Sequence, residues 1–157
     1  MESFFFDLLH FLYFLSLAVI VGGGLALGGA AAPTLFRELD RIRAGSVFGA
    51  ILERWDSAAI PAAILLVLSS LLKFFNFETG EPRLALRYAA VGLVALATLY
   101  AAAWANPLAR GLRAQTPHFD DLPANAAPRV EFARYHARSR RAMTIALLAG
   151  LVALYLS

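Results

Sequence analysis

Four long apolar stretches, joined by connections that hold most of the charge, leave this chain of 157 residues few ways to fold. The first, from Phe4 to about Ala32, has no lysine or arginine and is interrupted only by Asp7 and His10, so it is long enough to cross a ~30 Å hydrocarbon layer. Sixty per cent of the residues are hydrophobic and 16% charged, against about a quarter charged in a soluble domain, so much of the surface must face lipid. The pattern predicts an all-α, integral membrane four-helix bundle in a single domain, with helices over about 4–32, 47–75, 84–105 and 129–156.

Ala30-Ala31-Ala32 mimics a signal-peptide cleavage site, but the apolar run is too long for one and no basic residues precede it, so it reads as a span. Pro33 is expected to end this helix, with Phe36 to Arg43 as an amphipathic connector on the membrane surface. The uncharged core of the second helix, Ser57 to Leu72, spans only ~24 Å, and Pro61 inside it predicts a kink. Asn76, Gly80 and Pro82 mark the following turn. The third helix is expected to stop at Asn106-Pro107, leaving Leu108 to Pro128 as a loop. The fourth opens on Arg134, Arg138, Arg140 and Arg141 and is uncharged from Ala142 onward.

Charge sets the orientation. Residues 33–56 hold four arginines and residues 108–141 hold seven, whereas the opposite side has only Lys73, Arg83 and Arg87. The positive-inside rule therefore puts both termini on the non-cytoplasmic side, as in a multi-pass protein of the bacterial inner membrane. The first and third helices both end in alanines and a proline and precede a basic connector, the pattern of two parallel repeats. No zinc-ligand set or aromatic-basic platform accompanies the basic residues, so no nucleic-acid partner is expected. The absence of cysteine removes disulfides, thiolate metal sites and thiol nucleophiles.

Three groups of residues are candidate sites. Glu53, Arg54 and Asp56 on the second helix and His136, Ser139 and Arg140 on the fourth come to the same cytoplasmic end, where they would line one polar vestibule. Alternatively the carboxylates pair with arginines to hold the helices, and the other arginines bind anionic lipid. His10 shares a face with Asp7 and Tyr13 near the level of Lys73 and Arg87, fit for an axial haem ligand, a proton or anion handler, or a hydrogen-bonded packing residue. His10 and His136 lie at opposite surfaces, so neither builds a metal cage and no metal site is expected. Gly24 and Gly28, four residues apart, allow close helix approach inside the monomer or along a homo-oligomer seam.

Ala32-Pro33-Thr34-Leu35-Phe36-Arg37 after a glycine-rich first helix, Asn106-Pro107, and the run Phe132-Ala133-Arg134-Tyr135-His136-Ala137-Arg138-Ser139 resemble the transmembrane protein 205 family, also catalogued as domain of unknown function 4149. Where that family usually has Gly after the histidine and Asn four residues past the serine, this chain has Ala137 and Met143. More distantly the layout is similar to copper-resistance D proteins and HemJ-type protoporphyrinogen oxidases; the resemblance to the latter implies a haem b or porphyrin at His10. Three functions follow as expectations: binding or transport of a small solute, ion or lipid-like molecule through the cytoplasmic vestibule, without enzymatic chemistry; a haem-dependent redox role; or an accessory subunit of a membrane complex.

Overall fold

The computed structural model describes residues 2–78 and 81–157, among which all regular structure is helical. Four long helices account for nearly all of it: α1 (Phe4–Glu38), α2 (Arg41–Phe77), α3 (Pro82–Gln115) and α4 (Ala127–Tyr155). The first three are long and apolar enough to cross a membrane. Large apolar side chains such as Phe75, Leu96 and Leu148 stand exposed along the bundle, a surface suited to lipid and costly in water. The protein is an integral membrane protein.

Neither expected proline stop occurs. α1 runs on through Pro33 to Glu38, and α3 runs on through Pro107 to Gln115. Both helices use the same device: a wide π-helical stretch, Ala26–Ala31 in α1 and Tyr100–Ala105 in α3, ends two residues before the proline. The residue next to each proline, Ala32 or Asn106, donates its backbone N–H five residues back, to Leu27 and Ala101. This places each proline at the first turn of the resumed α-helix, where a missing N–H costs little. The parallel between the two halves is thus one of backbone geometry as well as sequence.

The separate connector expected at Phe36 to Arg43 is likewise absent. α1 and α2 meet at a break over residues 39–40, where Asp40 Oδ1 accepts the backbone N–H groups of Ile42 (3.1 Å) and Arg43 (3.0 Å) and so caps α2. α2 remains an α-helix through Pro61. The turn expected at Gly80 lies outside the described residues. The long loop shrinks to residues 116–126 and contains a single 3-10 turn, Phe119–Asp121.

Phe77 at the end of α2 packs on Phe5 and Phe6 at the start of α1, which makes the two helices antiparallel. The end of α4 returns to the same level: Ser157 Oγ lies 2.8 Å from the Tyr13 hydroxyl, and Arg83 donates to the Tyr155 carbonyl oxygen (3.3 Å). At ~1.5 Å per residue each helix is ~40 Å or more long, so the opposite ends of all four gather at the other end of the bundle.

The core draws on every helix, with Tyr13, Leu17 and Ile20 from α1, Ala63 and Leu66 from α2, Val91 and Val94 from α3, and Ala149 and Ala153 from α4. A second cluster, Ala97, Ala101, Ala142 and Ala146, joins α3 to α4. Small residues bring the helices close, which is how helices gain packing energy where lipid already satisfies their apolar surfaces. The tightest approaches are at Gly23, where a Cβ would collide with the Trp55 indole, and at Gly150, where it would meet Val21. Gly24 has only Leu147 Cδ1 at 3.9 Å, and Gly28 has nothing within 4 Å. Within the monomer, then, the close seam is one residue away from Gly24, because helix phase points Gly23 at α2 and leaves Gly24 and Gly28 facing a groove beside α4.

Candidate functional site

The ends of the four helices remote from the Phe5–Phe77 contact enclose a cavity of about 640 Å³. Phe36 of α1, Phe48 of α2 and Phe132 of α4 supply apolar wall, and Arg110 and Arg113 enter from the helical extension of α3. Arg41, Arg129 and Arg140 complete the basic lining, facing one acid, Asp120. Two of the five arginines are paired: Arg110 Nη1 donates to Asp56 Oδ2 (2.6 Å), and Arg113 Nη2 to Asp120 Oδ2 (2.8 Å). Arg129 donates to the backbone carbonyls of Phe119 (3.3 Å) and Asp120 (3.2 Å), which tie the loop but carry no full charge. Arg41, Arg129 and Arg140 have no carboxylate partner among the described residues. The cavity therefore carries an excess of positive charge within apolar walls.

Its floor is a directional chain of hydrogen bonds. Ser139 Oγ donates to Asn106 Oδ1 (2.5 Å), Asn106 Nδ2 donates to Asp56 Oδ1 (2.8 Å), and Arg110 closes on the other carboxylate oxygen. Asp56, Asn106 and Ser139 are all buried, so the chain fixes α2, α3 and α4 to one another. Of the vestibule residues expected from sequence, Asp56 and Ser139 meet through Asn106, while His136 and Arg140 line the cavity above. Glu53 and Arg54 do not join them: both are exposed, because on α2 the turn that buries Asp56 carries them to the outer face. His136 stacks on Phe132, with ring centroids 6.0 Å apart and ring planes 5° from parallel.

A second cavity, of about 550 Å³, adjoins the first. Phe36, Phe48, Leu52, His136 and Arg140 line both. Beyond this shared wall the lining turns apolar, with Gly24, Leu27 and Gly28 of α1 opposite Met143 and Leu147 of α4. The groove thus lies between α1 and α4, along the π-helical stretch of α1.

His10 belongs to a different cluster at the opposite end. Its Nδ1 is 3.3 Å from Lys73 Nζ, and its ring stacks on Phe6 and meets Phe14 edge-on. Lys73, which is 2% exposed, also lies 3.5 Å from Glu78 Oε1 and 4.9 Å from the centroid of the Tyr13 ring. Arg87 donates to Glu78 and to the Tyr88 hydroxyl. Burial alone would raise the Glu78 pKa, but hydrogen bonds from Arg87 and Tyr88, with the charges of Arg87 and Lys73, bring it below the ordinary value. An axial haem ligand needs a free ring nitrogen facing a flat open space. Here Nδ1 faces an ammonium, two phenyl rings flank the imidazole, and neither cavity includes His10. His10 Nδ1 thus belongs to the charge network of Lys73, Glu78 and Arg87, a contact that a haem at this nitrogen would have to displace.

Sequence reasoning missed Asn106, Arg110 and Glu78. Asn106 and Arg110 are spaced i, i+4, which would have put them on one face had the helix been carried past Pro107. Glu78 sits at a helix end, where an acid ordinarily reads as solvated.

A family model described as a domain of unknown function, DUF4149, matches residues 15–118. The chain belongs to that family. The match covers most of α1, all of α2 and α3, and hence Asp56, Asn106 and Arg110, and it stops before the run at residues 132–139. No curated protein and no solved structure matches the chain.

Proposed function

We propose that this DUF4149 protein spans the membrane four times, with both termini outside the cytoplasm, and binds or moves a small anionic solute or lipid-like molecule at its arginine-lined vestibule. The bacterial inner membrane fits the charge distribution. One observation carries the reading: Arg41, Arg129 and Arg140 line a cavity without carboxylate partners among the described residues. Confined cations with apolar walls attract anions more strongly than the same cations in open water. The narrower kinship with the transmembrane protein 205 family is part of the same proposal, supported by residues 132–139.

The test uses purified protein in neutral detergent and a panel of inorganic phosphate, short carboxylates and anionic lipids, with binding followed by calorimetry and native mass spectrometry. The wild type is expected to bind at least one member saturably, and the double variant R41Q/R140Q to bind it at least tenfold more weakly. Equal binding by the two proteins for every member of the panel would overturn the proposal.

A further inference from the structure

The two cavities adjoin along a shared wall, as unlike halves side by side. The inner half is basic; the outer half is an apolar groove between α1 and α4, and Arg140 and His136 stand at their junction. From this juxtaposition we infer that the ligand is an anionic phospholipid, its phosphate held at Arg140 and its acyl chain lying in the groove past Gly24 and Gly28. The inference rests on the vestibule reading above and narrows its ligand class.

Three features support this occupant over a small soluble anion. A soluble anion uses only the basic half and leaves the groove unfilled, whereas an amphiphile satisfies both halves at once. The groove runs from the arginine level toward the part of the bundle that faces hydrocarbon, which is the direction an acyl chain takes from its headgroup. Gly28 and Gly29 lie in the interior of α1 with open space where a Cβ would be, so no helix in the monomer explains the helix propensity they sacrifice. A chain lying against the backbone at Gly28 does explain it.

The test is native mass spectrometry of the full chain in detergent with three probes: dioleoyl phosphatidic acid, dioleoyl phosphatidylcholine and inorganic phosphate. Wild-type protein is expected to retain phosphatidic acid at least tenfold more strongly than either of the others. G28L should place a side chain in the groove, where a Cβ has no protein atom within 4 Å, and is expected to weaken phosphatidic acid at least fivefold while leaving phosphate binding unchanged. R140Q should weaken both. Circular dichroism and the unfolding midpoint identify any variant that fails to fold, and G24L supplies a second groove variant in that case. Phosphate bound as tightly as phosphatidic acid, or groove variants that fold and bind phosphatidic acid normally, would overturn the inference and leave the vestibule reading standing. Binding of all three probes left unchanged by both R140Q and R41Q/R140Q would remove both.

Discussion

At the scale of single residues, the glycines divide by what a methyl group would meet. G23A pushes into the Trp55 indole and is expected to cost about 1–3 kcal/mol, as overpacking does. G28A meets nothing and is expected to be neutral or to stabilise by up to ~1 kcal/mol through helix propensity. Unfolding midpoints in detergent check the pair, and equal destabilisation would contradict the packing described. Glu78 supplies a pH dependence. Its folded pKa lies below its unfolded value, so its contribution is fully present at neutral pH and is lost as pH falls through 4.5 toward the folded value. The wild type should therefore lose stability more steeply than E78Q below pH 4.5, measured by unfolding midpoint against pH.

At the scale of elements, α1 and α3 show how a helix passes a proline. A π-helical turn widens the backbone, and the proline then occupies a first-turn position. Read along the sequence, Pro33 and Pro107 are stop signals, because an ordinary α-helix would lose a hydrogen bond and clash with the preceding turn. Nothing in residue type alone distinguishes a stop from a register change of this kind. α4 poses a different question, since its uncharged part, from Ala142 to Tyr155, is only ~21 Å long. With no native cysteine, single-cysteine labelling tests whether it spans. A cysteine at Leu148, exposed on the bundle surface, should resist a membrane-impermeant maleimide from both sides, while one at Ala124 should react from the cytoplasmic side alone. Ready labelling at Leu148 would remove α4 as a span.

At the scale of the whole molecule, charge asymmetry and helix ends agree. Most of the basic residues collect at one end of the four helices, and the opposite end holds the compact Lys73–Glu78–Arg87 network. A periplasm-active reporter fused after Ser157 should be active, and the same reporter placed in residues 116–126 inactive; the reverse result would invert the topology. The apolar runs by themselves determined the helical class and the number of long helices, because backbone in lipid must satisfy its own hydrogen bonds. The positions of Asp56, His136, Ser139 and Arg140 were legible too, since charge at the end of an apolar run stays at one membrane surface. Tertiary structure alone decided that Asn106 joins Asp56 to Ser139, that Glu53 and Arg54 face outward, and that a basic cavity adjoins an apolar groove. Those facts depend on the relative rotation of helices distant in sequence, which packing sets and local pattern does not encode.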